Sequence, residues 1–283
     1  MNPSTRFQTW EQAVSWLRTQ PDRRALVRDA YYDDPLVEAA ARYHASAEWQ
    51  ALLPLLGTRR GEALEVGAGR GIASYALARE GFKVCALEPD PSALVGSGAI
   101  RGLASAAQLP ITVVEEFSEN LPFADASFDL VFVRAVLHHC QDLPAACRQF
   151  YRVLKPGGRL VAIREHVISK RADLPAFLSA HPLHDLYGGE NAFLLAEYLD
   201  AIDNAGFREP HVLAPLRSAI NLFPQTEATL KAEIVERLRR FGPVAPILSF
   251  ALTLPLVWPA LRYAIEAVDN RPGRLYSFIA DKA

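Results

Sequence analysis

The alternation of short apolar runs with helical patterns in the middle of the chain most constrains its fold. Five runs rich in β-branched residues lie at 63–66, 83–88, 111–114, 129–133 and 159–163. Helical patterns separate them at 70–80, 91–105 and 142–154. Apolar strands that alternate with helices are typical of a parallel sheet covered on both faces. The sequence therefore predicts an α/β fold.

Helical signals precede this alternation. Thr9 and Gln12 form a capping-box pattern, which predicts a first helix to about Leu17. The dipeptide 34–35, Asp-Pro, predicts an N-cap and a first-turn proline for a longer helix that runs to about Leu56.

Further elements follow the fifth run. A helix is predicted around 192–205 and ends before Gly206. Strands are predicted at 211–216 and 274–280, and an amphipathic stretch at 228–241 lies between them. We therefore expect three parts. They are an N-terminal helical cap (1–57), an α/β core (58–216 and 273–283) and a helical, apolar insertion (217–272).

Composition narrows the function classes. Half of the 283 residues are hydrophobic and 22% are charged, which is ordinary for a globular protein. The net charge of −2 provides no basic excess for a nucleic-acid backbone, so we expect no nucleic-acid partner. Three cysteines are too few for a disulfide scaffold and fit no structural zinc spacing, and we expect no metal. The polar N-terminus has no signal-peptide pattern, which makes the cytoplasm the expected compartment.

A glycine-rich turn follows the first predicted strand. Gly67, Gly69 and Gly71 allow a tight bend and a close approach of the backbone to a ligand, in front of a helix N-terminus. Glu88 closes the second strand, where a carboxylate can accept hydrogen bonds from two ribose hydroxyls. Together these features indicate a cofactor that contains a nucleoside. Ile72 occupies the slot in which a dinucleotide fingerprint needs Gly or Ala, which argues weakly against a nicotinamide-dependent dehydrogenase.

Four further motifs appear in order along the chain. They are ENLPF (119–123), SFDLV (127–131), VLHH (136–139) and RVLKPGG (152–158). With the glycine turn, this set resembles the class I S-adenosylmethionine-dependent methyltransferases, in particular the small-molecule methylases that include ubiquinone and menaquinone methylases. The resemblance covers about 60–215 and the last strand. It implies a Rossmann-like, seven-stranded sheet in the order 3-2-1-4-5-7-6 with an antiparallel last strand, N-terminal helices, and the insertion between strands 6 and 7.

The resemblance also implies a binding site for S-adenosylmethionine. Glu65 would hold the methionine amino group indirectly, the glycines would line the methionine and ribose, and Arg134 would border the methionine end. The expected cofactor-binding residues are Glu65, Gly67, Ala68, Gly69, Gly71, Glu88, Pro89, Phe117, Ser118 and Arg134. Relatives often have Asp-Ala where this chain has Phe117 and Ser118. We expect Phe117 to stack on adenine and Ser118 to supply polar contacts, with Glu116 as the alternative.

A sulfonium methyl group is strongly electrophilic, so the protein mainly has to hold a nucleophile in line with it. A base is needed in addition if the nucleophile is a hydroxyl group. The catalytic candidates are His139, His166 and His184, with Glu165 as a further base, and the acceptor-contact candidates are Tyr31, Tyr32 and His181, with Arg42 nearby. Structural histidines and ordinary helix residues are the alternative interpretation.

The segment 241–261 contains no charged residue. Its 21 positions could cross a bilayer as one helix, but four prolines argue against a regular span. It is interpreted as a packed cap, as a lid over an apolar acceptor, or as a membrane-interface element beside basic flanks. The hypothesis is methyl transfer to a small, apolar or lipid-like acceptor, most simply at oxygen. The alternative is a non-catalytic cofactor-binding or partner protein on the same fold.

Overall fold

The alternating runs form the strands of one mixed sheet. The computed structural model describes residues 6–58 and 60–283. The strands are β1 (Glu62–Val66), β2 (Lys83–Leu87), β3 (Ile111–Val114), β4 (Phe128–Arg134), β5 (Leu154–Ile168), β6 (Phe193–Leu194), β7 (Arg208–Leu213) and β8 (Arg274–Asp281). Their order is β3-β2-β1-β4-β5-β8-β7, and β6 pairs with β5 outside that path.

The strand order confirms the predicted topology. β1 lies parallel to β2 and β4, and Leu64 is aligned with Cys85 on one side and Val131 on the other. β8 runs antiparallel to β5 and β7, so the last strand has the predicted direction. Because the parallel strands share one direction, their carboxyl ends meet at one edge of the sheet, where open α/β folds bind ligands.

Three strand predictions need correction. The described residues contain eight strands rather than seven, because the end of β5 extends far enough to pair with Phe193 and Leu194. β5 starts at Leu154, aligned with Phe128, so the LKPGG motif lies within the strand and not before it. The strand predicted at 211–216 occupies Arg208–Leu213 instead, since pairing with β8 begins at Arg208.

Fourteen α-helices are present in the described ranges. They are α1 (Trp10–Arg18), α2 (Arg24–Asp29), α3 (Leu36–His44), α4 (Ala47–Leu52), α5 (Ile72–Arg79), α6 (Ser97–Ala107), α7 (Leu143–Val153), α8 (Leu174–Ala180), α9 (His184–Tyr187), α10 (Leu195–Asn204), α11 (Ala219–Leu222), α12 (Glu227–Leu238), α13 (Ala245–Ala251) and α14 (Val257–Val268). Short 3-10 turns occupy Pro21–Arg23, Leu53–Leu55, Leu137–His139, Arg171–Asp173 and Arg239–Val244.

The N-terminal helices differ from the prediction in one place. Thr9 caps α1 as expected, accepting a hydrogen bond from the Gln12 N–H at 3.2 Å. The single helix predicted to run to Leu56 is wrong. α3 begins after Pro35, which is itself the cap residue in place of Asp34, and a second helix starts where the Ser46 hydroxyl accepts the Trp49 N–H.

These helices share a hydrophobic core with the sheet. Buried side chains of α3 and α4, including Tyr43 and Trp49, join Phe132, Val161 and Ile279 in one cluster. Burial of apolar surface at about 25 cal/mol per Å² makes this contact a major stabilising term. The helices are thereby fixed over the end of β4. The boundary at 57/58 stays a prediction.

The insertion forms a group of short helices. Gly242, at φ 58° and ψ −128°, interrupts the helical path between α12 and α13, and a turn separates α13 from α14. None of the described helices combines the length and the apolar character that a bilayer crossing requires. The stretch 241–261 is therefore divided into several short elements, as its prolines suggested.

Candidate active site

The glycine loop after β1 adopts backbone angles that favour glycine. Gly67, Gly69 and Gly71 have φ values of 64°, 54° and 80°. A Cβ atom on Gly67 would lie only 2.5 Å from Cγ2 of Val136, so a side chain would clash there as well as strain the backbone. Gly71 then caps α5, whose N-terminus faces this loop. The local sequence thus dictates the bend.

Glu88 lies beside the loop, immediately after β2. Its carboxylate accepts the N–H of Gly69 at 2.7 Å and the N–H of Asp90 at 3.0 Å. The side chain is buried, and burial raises the pKa of Glu88 to about 7. Pro89 follows directly. The two features predicted to hold one cofactor are therefore in direct contact with each other, and each carboxylate oxygen retains a lone pair for a ribose hydroxyl.

Glu65 is buried one step before the loop. The hydroxyl of Ser74 on α5 donates a hydrogen bond to it. Burial raises the pKa of Glu65 to about 8, since few polar groups replace the water removed. The Glu65 carboxyl group is thus fixed against the first turns of α5. Its expected indirect hold on the methionine amino group stays a prediction.

The adenine subsite predicted at 117–118 combines an exposed ring with a buried hydroxyl. Phe117 is 64% exposed, which is unusual for an aromatic side chain without a ligand. The Ser118 hydroxyl donates to Glu119 at 2.9 Å, and Glu116 accepts the Phe117 N–H at 2.9 Å. The exposed ring fits the predicted stacking role, and Glu116 remains the alternative.

Arg134 ends β4, and its guanidinium donates to both carboxylate oxygens of Glu48, at 2.7 and 3.1 Å. Its expected place beside the methionine end stays a prediction. Burial opposes the charge of Glu48, yet Arg134 and Arg164 outweigh it and hold the pKa of Glu48 below its usual range. Arg134 therefore joins β4 to α4. Sequence reasoning missed Glu48 because no local pattern pairs it with a residue so distant in the chain.

The predicted acceptor contacts in the N-terminal segment are packed, and Tyr31 and Tyr32 lie in the turn between α2 and α3 rather than on a helix. Tyr31 is 2% exposed and stacks on Phe223 with a centroid distance of 5.7 Å, and burial raises its pKa to about 12. Tyr32 lies edge-on to Trp10 at 5.7 Å, and burial also raises its pKa to about 12. Arg42 bonds Asp33 at 2.6 Å. In this conformation these side chains contribute to packing.

Histidines gather after the carboxyl end of β4 and near that of β5, on which His166 lies. The cluster, named the acceptor edge here, consists of His138, His139, His166, His181 and Glu190. Neighbouring rings are 4.2 to 5.3 Å apart. The sequence analysis missed Glu190 because it lies in a loop with no motif.

Charge is divided unequally within the acceptor edge. His138 contacts Glu165 at 2.7 Å and, despite burial, this hydrogen bond and the nearby carboxylate of Glu190 raise its pKa to about 9. Burial and the neighbouring charge of His138 lower the pKa of His166 to about 3. The same two causes lower the pKa of His139. Hence His138 is cationic at neutral pH, whereas His166 and His139 are uncharged.

The acceptor edge lies next to the glycine loop. The side chain of Val136 lies over Gly67, and its backbone N–H donates to Glu165 at 3.1 Å. The remaining candidate, His184, begins α9, and its Nδ1 has no hydrogen-bond partner among the described residues. The structure therefore brings His139, His166 and His181 together, whereas His184 does not share their contacts with Glu190.

The loop geometry fits the cofactor that the sequence suggests. Gly69 has only the Val95 carbonyl oxygen within 4.0 Å of a hypothetical Cβ, and Glu88 offers oxygens beside it. A sugar can therefore approach the backbone there and donate its hydroxyls to the carboxylate. Phe117 would contact the base from the side of β3.

Comparison with known proteins agrees with this geometry. A methyltransferase domain family matches residues 64–162. An uncharacterized methyltransferase of Synechocystis is 30% identical over 166 residues, which cover 58% of this chain and 69% of that protein. A ubiquinone biosynthesis O-methyltransferase of Xanthomonas oryzae is 38% identical over 112 residues, 39% of this chain and 44% of the relative. The YafE protein of Escherichia coli is 39% identical over 77 residues, 27% of this chain and 32% of its own length.

Solved structures share the fold at lower identity. Phosphoethanolamine N-methyltransferase 2 of Haemonchus contortus, in complex with S-adenosyl-L-methionine, matches with a TM-score of 0.54 at 18% identity. That match covers 92% of this chain and 59% of the other. The [4+2]-cyclase SpnF also has a TM-score of 0.54 at 18% identity, covering 87% and 81% of the two chains. The chain belongs to the class I S-adenosylmethionine-dependent methyltransferases, with S-adenosylmethionine as its cofactor.

Proposed function

We propose that this protein transfers a methyl group from S-adenosylmethionine to an oxygen of a small, apolar or lipid-like acceptor. One observation carries the proposal. The Val136 side chain lies over Gly67 of the glycine loop, and the Val136 N–H donates to Glu165, which in turn contacts His138 of the acceptor edge. In this proposal a cofactor held by the loop lies beside Val136 and directs its methyl group towards the histidines.

When bound, the cofactor supplies an electrophilic methyl group on a neutral leaving group. The chain's own residues orient the cofactor and the acceptor and exclude water. Glu88 and Gly69 would fix the sugar, and Phe117 would cover the base. His139 has Nδ1 2.8 Å from the carbonyl oxygen of Gly189, which can only accept, so Nε2 of the neutral ring is free to take a proton from an acceptor hydroxyl. Its side chain is 40% exposed and can be reached.

The choice of oxygen as the methylated atom draws on one relative. The Xanthomonas oryzae protein is named as an O-methyltransferase of ubiquinone biosynthesis. An uncharged imidazole beside a carboxylate suits removal of a proton from a hydroxyl group, which a carbon or amine nucleophile need not require. Among the named candidates, His139 combines exposure with a free Nε2, so it is the proposed base.

His139→Ala should lower kcat for methylation of a phenolic acceptor by about 10²- to 10⁴-fold, the usual contribution of a general base. Cofactor affinity should stay unchanged, because His139 does not touch the glycine loop. His211→Ala, an exposed histidine on β7, is the matched control and should behave as wild type. Full activity of the His139 variant on every acceptor that wild type methylates would refute the assignment.

The apolar acceptor follows from the insertion. Apolar side chains on and beside α13 and α14 are exposed, which does not fit a cap that buries them. They are Val244, Ile247, Phe250, Leu254, Leu256, Tyr263 and Val268. Such a concentration marks an interaction surface. We infer that it enters the membrane interface, with basic residues of 237–240 beside it, and gives the enzyme access to a lipid-like acceptor.

Vesicle flotation tests the membrane contact. Wild type should float with phosphatidylglycerol–phosphatidylcholine vesicles and less with phosphatidylcholine alone, because the flank is basic. Replacing both Ile247 and Phe250 by Ser should reduce the bound fraction at least threefold. Tyr187→Ser, which replaces an exposed aromatic residue on α9 outside this surface, is the control. Equal vesicle binding by both variants would show that this surface does not contact the membrane.

The alternative is a protein that binds the cofactor without methyl transfer. The SpnF match gives it a specific basis, since a protein named as a cyclase has the same fold. The two functions differ in product: methyl transfer forms S-adenosylhomocysteine in proportion to methylated acceptor. Conversion of a substrate with the bound cofactor unchanged would favour the alternative.

A further inference from the structure

Two imidazoles and one carboxylate converge in the acceptor edge without hydrogen bonds between them. The nitrogen or oxygen ligand atoms of His166, His181 and Glu190 all lie within 4.8 Å of one another. Nδ1 of His181 is 3.6 Å from Oε1 of Glu190, which is too long for a hydrogen bond. We propose that these three residues bind one divalent transition-metal ion of the zinc type.

The first argument is an unpartnered nitrogen. Nδ1 of His181 is shielded from solvent and has no hydrogen-bond partner among the residues that the structure describes. Leaving such a group unpaired is unfavourable. The nearest charged group is the carboxylate of Glu190, and a cation between them would satisfy both. Within residues 6–58 and 60–283, neither group is hydrogen-bonded to a backbone atom.

The second argument is the orientation of His166. Its Nδ1 lies 3.1 Å from the carbonyl oxygen of Gly273. Because a carbonyl only accepts, Nδ1 carries the hydrogen and the other ring nitrogen of the neutral imidazole presents a lone pair. Histidines that bind metals are held in this way, with one nitrogen donating to a carbonyl or carboxylate and the other free for the ion.

The third argument is the match of one ligand–ligand distance to the size of a zinc ion. Zinc lies about 2.0–2.1 Å from histidine nitrogen and about 2.0–2.2 Å from carboxylate oxygen, so tetrahedral ligands are about 3.4 Å apart. The 3.6 Å between His181 and Glu190 is close to this value. Two histidines and one glutamate leave one coordination position open, as in catalytic rather than structural zinc sites. Imidazole ligands disfavour magnesium and calcium.

A second possible position shares the carboxylate. Nε2 of His138 and of His139 lie 3.7 and 3.9 Å from Oε2 of Glu190, on its other side. Both of these histidines already have a partner for Nδ1, as His166 does, but neither has an orphaned nitrogen. The unpartnered His181 therefore favours the position between His166, His181 and Glu190.

An ion there would have a structural consequence. His181 and Glu190 lie in the segment between α8 and β6, whereas His166 lies on β5. The metal would hold that segment against the sheet at the acceptor edge, with its open position available to water or an acceptor oxygen. The proposal does not depend on methyl transfer, because metal binding is measured without cofactor or acceptor.

Isothermal titration of the chelator-treated full-length protein with ZnCl₂ tests the site, with CoCl₂ as a second probe and MgCl₂ as the comparison. Wild type should bind about one Zn²⁺ per chain and show a higher Tm with the ion, while Mg²⁺ gives no saturable heat. Glu190→Gln and His181→Ala should each weaken Zn²⁺ binding at least tenfold. His211→Ala, which removes an exposed histidine, should not.

Far-ultraviolet circular dichroism and cofactor affinity show whether each variant is folded. If Glu190→Gln is unstable, His181→Ala still tests the site, because the Nδ1 atom that it removes has no hydrogen-bond partner among the described residues. Absence of stoichiometric Zn²⁺ binding to wild type would overturn the proposal. Unchanged affinity in folded His181→Ala, with loss in His139→Ala, would also overturn it by placing the ion on the other side of Glu190. An equal loss in His211→Ala would identify binding to surface histidines instead.

Discussion

The cofactor edge and the acceptor edge of this sheet are built in different ways. The cofactor edge, residues 67–71 with Glu88, is formed by two neighbouring strand ends and a backbone bend. The acceptor edge draws its five side chains from a 3-10 turn, from β5 and from the loop before β6. Local backbone chemistry specifies the first edge, whereas only tertiary packing assembles the second.

This comparison of the two edges predicts which property each group of variants should change. Changes at the cofactor edge should reduce cofactor affinity. Changes at the acceptor edge should leave that affinity intact and reduce turnover or metal binding. Changes in the helices that cover β4 should affect both, since these helices share the core of the sheet.

The largest effect is expected at the covering helices. Glu48→Ala removes the fully buried partner of the partly buried Arg134 guanidinium, and the loss of one partner of a buried pair costs up to about 3–5 kcal/mol of unfolding free energy. Urea denaturation measures it. The control is Arg159→Ala, which breaks the exposed pair with Asp281 and should cost at most about 1 kcal/mol. Similar losses in the two variants would show that the buried pair does not fix the helices to β4.

The next effect is expected at the glycine loop. Gly67→Ala introduces a Cβ that clashes with Val136, at a position with left-handed backbone angles. Backbone strain and overpacking together should cost about 2–4 kcal/mol of unfolding free energy. Cofactor affinity should fall more than tenfold in calorimetry. Gly157→Ala has a comparable φ of 74° but open space around the Cβ, so it should show backbone strain alone and normal affinity. Normal affinity in the Gly67 variant would show that the loop does not shape the site.

Glu88→Ala should weaken S-adenosylmethionine binding by about 1–3 kcal/mol, the cost of unpaired ribose hydroxyls.

The pH dependence of cofactor affinity sharpens this prediction. Since burial raises the pKa of Glu88 to about 7, the carboxyl group is largely protonated at pH 6 and ionised at pH 8. Wild-type affinity should therefore rise about tenfold as pH increases across this range, while Glu88→Gln stays flat. A wild-type profile as flat as that of the glutamine variant would contradict the ribose role.

The smallest effect is expected at the exposed ring. Phe117→Ala should lose about 0.5–1.5 kcal/mol of cofactor affinity, the usual contribution of an aromatic stack, and Phe117→Tyr should retain it. Phe250→Ala removes an equally exposed ring from α13 and should not change affinity. No loss in the Phe117 variant would favour Glu116 as the adenine contact.

The two edges also differed in how well the sequence predicted them. The strands and the glycine bend were predictable because apolar runs, β-branched residues and glycines act locally, whereas the strand order followed from the resemblance to the methyltransferases. The break between α3 and α4 was missed, since Ser46 was overlooked as a cap. Glu48 and Glu190 were missed because their partners come from distant segments.

The central claim is that the glycine loop and Glu88 hold the sugar of S-adenosylmethionine with its sulfur directed towards the histidines. A crystal structure with S-adenosylhomocysteine tests it most directly. Both ribose hydroxyls should lie within about 3.2 Å of the Glu88 carboxylate, with the sulfur on the Val136 side of the loop. A ribose bound away from Glu88, or a sulfur directed away from Val136, would contradict the account.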